Sequence, residues 1–298
     1  MNAPLGLLQW TEGTSGATLV KHVQRLESLG YHELWLPEIA GREPFATCGY
    51  LLAKTARIKI SSGIANVYAH DADSSAQAAN TLAEFSGGRF SLGLGVSHPV
   101  LVEPRGHQWV RPVPKMRSYL ERLRVAPIES PRAAQAAPVI VAGHGPGLLK
   151  VASELADGAF LFLQPLEALR HARELLQPSQ QLHVVVRCVL EKDADKARAL
   201  ARRACAFYLS LPPYHEAWGR LGFEPSDWAN GGSDRLIDAI CAWGDADTIR
   251  ARLTKYYAAG ATHVVLYPCN PDEGYSPGSA MSTHWHWPLL EALAPARS

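Results

Sequence analysis

The sequence has little of what marks several common protein classes. Five cysteines fall in 298 residues, at positions 48, 188, 205, 241 and 269, and no two form a C-x-x-C pair. An odd count at wide spacing argues against a disulfide framework and against a structural zinc site. Charge is sparse and balanced, with 19% charged residues and a formal net charge of +1. A nucleic acid or an anionic membrane surface calls for a concentrated positive field, so neither is an expected partner. No apolar run is long enough to span a bilayer. The opening Met-Asn-Ala-Pro-Leu-Gly has no basic stretch ahead of an apolar one, so no signal peptide is expected and the expected location is cytoplasmic. Low-complexity stretches and linker-like segments are also missing.

The composition that remains is that of a globular protein, 47% apolar. The length suits one large α/β barrel or two smaller domains, and it can bury a core without disulfides or metals. Short apolar runs alternate with helical patterns. Strands are expected at Leu5–Trp10, Glu33–Pro37, Ile58–Val67, Arg89–Gly95, Pro138–Ala142, Ala159–Leu163, His183–Leu190 and His263–Tyr267. Between them, helical faces are carried by Leu19, Val23 and Leu26, by Ala78, Leu82 and Phe85, by Met116, Leu120 and Leu123, by Leu148, Ala152 and Leu155, and by Ile249, Leu253 and Tyr256. Gly30 and Gly87-Gly88 read as helix stops. Near-continuously apolar strands are buried on both faces, as in a parallel sheet. Eight strand–helix units point to an α/β fold, a (β/α)₈ or TIM barrel, over residues 1–298 as one domain; an open doubly wound sheet is the alternative. Glu191–Gly260 is too long for one barrel helix. It is read as a helical insertion between strands seven and eight, broken at Pro212-Pro213.

In such a barrel the chemistry belongs at the carboxyl ends of the strands. Gly143-His144-Gly145-Pro146-Gly147 leaves the fifth strand and opens into a helix. Its backbone N–H groups suit a phosphate, although a tight βα turn would use the same glycines. His98 follows the fourth strand in Gly93-Leu94-Gly95-Val96-Ser97-His98, where small glycines let a flat ligand approach. It is a candidate for proton transfer or for a rim hydrogen bond. Glu38 after the second strand either acts on a ligand or pairs with Arg42. His284-Trp285-His286-Trp287 has the look of a metal site but lacks a third ligand, and is read as aromatic packing that closes the barrel bottom; no metal is expected. The basic cluster Lys196–Arg203 is read as a solvated helix face.

Four segments then carry a resemblance: Leu26–Tyr31 leading to Leu34–Glu38, Ile58–Ile64, Ser86–Phe90 leading to Leu92–Ser97, and Val139–Gly143 leading to Ala156-Asp157-Gly158. In this order they resemble the bacterial luciferase-like superfamily, and most of all its branch that uses the deazaflavin coenzyme F420. The resemblance implies a non-prolyl cis peptide at Gly63–Ile64 supporting the middle ring of the cofactor. It implies that Gly63, Ile64, Ala65, Asn66, Val96, Ser97 and His98 line the ring system, and that Gly143, Gly145, Pro146 and Gly147 hold the phosphate. Arg105, Lys115 and Lys150 would meet the anionic tail. Several members place a catalytic histidine after the acidic residue of strand two; here Ile39 follows Glu38, so proton transfer is done differently or falls to Glu38 or His98. The segment Arg124–Ala137 before the fifth strand is short, and this puts the substrate pocket in question. Trp10, Tyr68 and Trp109 suggest an apolar pocket. Three readings follow: a deazaflavin-dependent oxidoreductase acting on a small organic molecule, an FMN-dependent monooxygenase, and a non-catalytic flavin-binding barrel. The resemblance also implies a homodimer.

Overall fold

The computed structural model describes residues 3–275, 281 and 283–295. Its strands are β1 Leu5–Leu8, β2 Glu33–Leu36, β3 Lys59–Ser62, β4 Ala65–Asn66, β5 Phe90–Gly95, β6 Val139–Ala142, β7 Gly158–Phe162, β8 Gln181–Leu190, β9 Cys241–Gly244 and β10 His263–Pro268. Each pairs with its neighbour in parallel, and β10 sits between β8 and β1 and closes the ring. The staves are β1, β2, β3 with its continuation β4, β5, β6, β7, β8 and β10, which is the closed parallel barrel expected from the sequence.

The helices between staves are α1 Gly16–Ser28, α2 Pro44–Leu52, α3 Ala72–Ser86, a short α4 Pro99–Val102, α5 Pro112–Arg124, α6 Pro146–Leu155 and α7 Leu166–Leu175. Helix α1 begins where the Ser15 hydroxyl accepts from the Thr18 N–H, and it buries Leu19, Val23 and Leu26 against the barrel. Each such side chain contributes about 1.5–3 kcal/mol of burial. Asp71 caps α3 in the same way, and Gly87 ends it in the left-handed region at φ 65°. The buried face of α3 is Ala72, Ser75, Ala79, Leu82 and Ala83, whereas Phe85, expected on that face, is 79% exposed. Arg89 donates to the carbonyls of Leu52, Ile58 and Ser86 and so fastens the ends of α2 and α3 to the start of β5.

Three expectations need correction. The third strand is interrupted at Gly63-Ile64 and resumes as β4, which pairs with the far end of β5. The insertion is not purely helical. It contains α8 Ala194–Leu209, α9 Pro212–Gly219, α10 Pro225–Trp228 and α11 Asp234–Ile240, but also β9, before α12 Ala246–Ala258. Strand β9 pairs with the upper half of the ten-residue β8, from Arg187↔Cys241 to Leu190↔Gly244. β8 outruns the barrel there, and the spare edge recruits a segment, Cys-Ala-Trp-Gly, in which only the tryptophan favours a strand. The basic cluster of α8 is also more than a solvated face. Arg198 pairs with Asp234 and Asp238, and Arg202 with Asp234, so the cluster holds α11.

Alternation along the strands sends one set of side chains outward to the helices and another into the lumen. Leu8, Trp35, Ile140, Phe160, Val185 and Val265 fill the middle of the barrel. The lower mouth is polar: Glu33 accepts from Ser61 Oγ and Trp35 Nε1, both at 2.7 Å, and lies 3.6 Å from His183, which stacks on His263 at 4.2 Å. Burial pushes the Glu33 carboxyl up and both imidazoles down.

Candidate functional site

A cavity of about 770 Å³ opens at the carboxyl ends of the staves, the end at which this architecture gathers binding loops. Of the residues singled out from the sequence, Glu38, Gly63, Ile64, Val96, Ser97, His98, Gly143, Gly145, Pro146 and Gly147 line it. Ala65 and Asn66 do not reach its wall. They turn away into β4, at 0% and 4% exposure. Asn66 instead shapes the bulge: its N–H donates to Glu38 Oε2 at 2.8 Å, and its Oδ1 accepts from the Tyr68 N–H at 3.0 Å.

The floor is built by the break in the third stave. The Gly63–Ile64 peptide is cis, as the resemblance implied. Gly63 lies on Trp35, whose Cβ would be 2.8 Å from any Cβ added at position 63. The glycines of β5 have a different use from the one expected. A Cβ at Gly93 would meet the Trp35 ring at 2.7 Å, and one at Gly95 would meet Ile64 at 2.5 Å. They make room for the protein's own side chains, and only Gly95 reaches the cavity wall. After β5 the chain turns sharply at Ser97, a non-glycine residue at φ 60°, where an L-residue pays roughly 1–2 kcal/mol. That turn sends His98 into the cavity ahead of α4.

The opposite end is an anion-friendly corner. Helix α6 starts after Gly145 with Pro146 in its first turn and no side-chain cap. Its first-turn N–H groups and its dipole therefore favour an anion. Gly147 is crowded by Val113, 2.8 Å from where a Cβ would stand. The guanidinium of Arg220, just beyond α9, lies 3.3 Å from the Cβ position of Gly145. The cations on the cavity wall are thus Arg220 and Arg111, whereas Arg105, Lys115 and Lys150 are not on it. Lys115 sits over the Tyr68 ring at 4.6 Å. The short Arg124–Ala137 segment does not leave the pocket open, because its walls come from Trp109, from Arg111–Pro114 and from Phe207, Tyr208, Pro213 and Tyr214 of the insertion. Of the aromatics expected, Trp10 and Trp109 line it, and Tyr68 stands behind, stacked on Trp109 at 5.6 Å. Trp10 Nε1 donates to Tyr267 Oη at 2.7 Å, and Arg187 covers the other side of that tyrosine at 3.6 Å.

Two imidazoles face the cavity side by side with Tyr214, His98 at 6.2 Å and His144 at 4.9 Å between ring centroids. Burial lowers the His98 imidazole, and burial with the nearby His98 pushes His144 down to about 3. Both surroundings favour the neutral ring, and the Nδ1 of His144 is buried without a hydrogen-bond partner among the described residues. Glu38 does not pair with Arg42, which donates to the carbonyls of Thr11 and Thr14. Its partner is His70, whose Nε2 lies 3.1 Å from both carboxylate oxygens. Sequence reasoning missed His70, Arg220 and Tyr214: Arg220 and Tyr214 lie in the insertion, away from any stave end, and His70 lies four residues past β4, beyond the bulge from which the candidates of that stave were taken. The four residues from His284 to Trp287 lie outside the site. His284 meets Glu273, and His286 caps Leu289. Trp285 and Trp287 stack at 5.5 Å against His22 of α1, so the aromatic packing is on the flank of that helix and not across the barrel bottom.

The profile of the luciferase-like monooxygenases matches residues 7–263. A 5,10-methylenetetrahydromethanopterin reductase of Archaeoglobus fulgidus is 26% identical over 300 aligned positions, which cover 85% of this chain and 90% of that protein. Among solved structures, the coenzyme F420-dependent tetrahydromethanopterin reductase of Methanopyrus kandleri aligns with a TM-score of 0.73 at 18% identity, over 99% of this chain and 98% of that one. The FMN-bound oxygenating component of a 3,6-diketocamphane monooxygenase of Pseudomonas putida aligns with a TM-score of 0.69 at 16% identity, over 99% and 97%. At these identities the solved structures speak for the fold, and the profile match speaks for descent. The chain belongs to the luciferase-like monooxygenase family of oxidoreductases.

Proposed function

We propose that the chain is a coenzyme F420-dependent oxidoreductase that passes hydride between the deazaflavin and a small organic substrate. The observation that carries this reading is the pairing, in one cavity, of the Gly63–Ile64 floor with the uncapped start of α6 and Arg220. A planar ring system with an anionic tail requires those two surfaces, one flat and apolar, the other rich in N–H donors and positive charge. The likeness to methanopterin reductases favours the deazaflavin over a flavin. When bound, that cofactor supplies the hydride chemistry. The chain's own residues do the rest. Gly63, Ile64, Val96, Ser97 and His98 hold the ring. Gly143, Gly145, Pro146 and Gly147, with Arg220, hold the phosphate. Trp10, Trp109 and Phe162 keep the cavity apolar and exclude water. Glu38, on the cavity wall at the end of β2, is the group placed to exchange a proton with substrate, and the neutral His98 imidazole offers a hydrogen bond.

A second reading is an FMN-dependent monooxygenase, favoured by the family profile and by the FMN-bound neighbour. Titration of the purified protein with each cofactor, followed by fluorescence and absorbance, separates the two. Tight deazaflavin binding with weak FMN binding is expected. The reverse preference, with oxygen consumed in the presence of reduced FMN, would replace the first reading by the second. Binding of neither would sink both.

A further inference from the structure

We propose that Glu38 and His70 form a proton relay between solvent and the cavity. The inference rests on the oxidoreductase reading above and adds a residue and a path to it.

The geometry comes from a tight turn. After β4, the Asn66 side chain accepts from the Tyr68 N–H, and its carbonyl accepts from the N–H groups of Ala69 at 2.9 Å and His70 at 3.2 Å. The chain folds back, and the His70 ring returns to the end of β2. There Nε2 lies 3.1 Å from Oε1 and from Oε2 of Glu38. The carboxylate is fixed on its other side by the Asn66 N–H. The pair also has a direction. Glu38 lines the cavity and its side chain is 8% exposed; His70 is not on the cavity wall and is 16% exposed. One member faces the reactants and the other keeps contact with solvent.

Other groups around His70 agree with this. Phe45 packs on the ring at 4.8 Å, and the charged groups that act on it are Glu38, Glu43 and Arg105. The hydrogen bond to Glu38 raises the imidazole above its ordinary value, against the opposing effects of burial and Arg105. His98 and His144 are pushed the other way by burial, so they are poor proton carriers at neutral pH. The surroundings of His70, by contrast, favour its protonated form.

The step balances as follows. Two-electron reduction of a carbonyl substrate takes a hydride from the reduced cofactor, which is oxidised, and one proton. The His70 imidazolium passes its Nε2 proton to the Glu38 carboxylate, and Glu38 hands a proton on to the substrate oxygen. A C–H and an O–H bond form on the substrate, the N–H bond of His70 breaks, Glu38 ends as the carboxylate it began as, and solvent reprotonates His70. Alcohol oxidation runs the sequence backwards. Glu38 is the catalytic residue, and His70 is a positioning and relay residue acting through it.

The test uses the full chain. NMR titration of the His70 imidazole in the cofactor-free protein should give a pKa above 6.5, and Glu38→Gln should lower it. A value at or below the ordinary one, or one unmoved by Glu38→Gln, would overturn the pairing. With deazaflavin bound, a panel of small ketones beginning with acetone serves as the probe. His70→Ala should lower kcat about tenfold or more with KM little changed, remove the His70 ionisation from the pH profile, and recover with added imidazole. His70→Asn provides a second variant should the alanine form fold poorly. Unchanged kcat and pH profile in both variants would refute the relay. Failure of the wild type to bind the deazaflavin would instead refute the cofactor reading, and the NMR result would still decide whether His70 and Glu38 share a proton.

Discussion

The indole of Trp35 occupies the space that a side chain at Gly93 would need: a Cβ there would stand 2.7 Å from the ring and 2.1 Å from the Ser62 carbonyl oxygen. Trp35 is fully buried in the lumen, tilted on Phe160 at 4.6 Å, and Gly63 of the cavity floor rests on it. One glycine on β5 thus sets the height of the floor through a tryptophan on β2. Gly93→Ala should destabilise the protein by about 1–3 kcal/mol, the usual cost of overpacking, and weaken cofactor binding as well. Denaturant unfolding and a cofactor titration measure the two effects. A variant as stable as the parent would show that the lumen can shift, contrary to this account.

Arg220 and the Gly145 turn form the proposed phosphate site. A charge-assisted hydrogen bond contributes about 1.5–3 kcal/mol, so Arg220→Ala should weaken cofactor binding roughly ten- to a hundredfold. Lys150→Ala, one turn further along α6 and off the cavity wall, should change it little. Equal effects from the two substitutions would mean a diffuse field and no defined site.

Gln180 closes the other end of α6. Its carboxamide nitrogen lies 3.1, 3.2 and 2.7 Å from the carbonyl oxygens of Ala152, Ser153 and Ala156, and its oxygen accepts from the Gln177 N–H at 2.7 Å. Helix α6 has no terminal glycine, and this side chain supplies what a cap would. Gln180→Ala should cost about 1–3 kcal/mol, because buried carbonyls lose their donor. Thermal or denaturant unfolding tests it, and a loss well below 1 kcal/mol would argue that water replaces the side chain.

Burial pushes His144 down to about 3, with His98 adding to the effect, and burial pushes His263 down to about 4, aided by His32 and Lys59. The native state keeps these imidazoles neutral at a pH where the unfolded chain takes up protons. Their contribution is therefore fully present above pH ~6.5 and falls as pH drops toward 4. His22, His32, His98, His183 and His286 are lowered too and act with the same sign. Glu33 and His70, both raised, act oppositely but are outnumbered. Tm should fall by roughly 5 °C or more between pH 7.5 and pH 5, and less steeply in a His263→Gln variant. A flat Tm over that interval would contradict the burial of these rings.

The sequence by itself determined the barrel. Strands buried on both faces must be apolar throughout, helices that cover them must carry an apolar stripe, and both patterns are local. The end at which the cavity opens follows from the same local order, and that the glycine turn at 143–147 and His98 line it was legible for that reason. Tertiary structure decided the pairings. His70 reaches Glu38 from a different connection, and Arg220 reaches Gly145 from the insertion. The glycines of β5 make room for Trp35 and Ile64, and β9 is held by the spare edge of β8. Each depends on which surfaces meet when the ring of strands closes. Those distances come from closure between residues far apart in the chain, so no periodicity or spacing along the sequence encodes them.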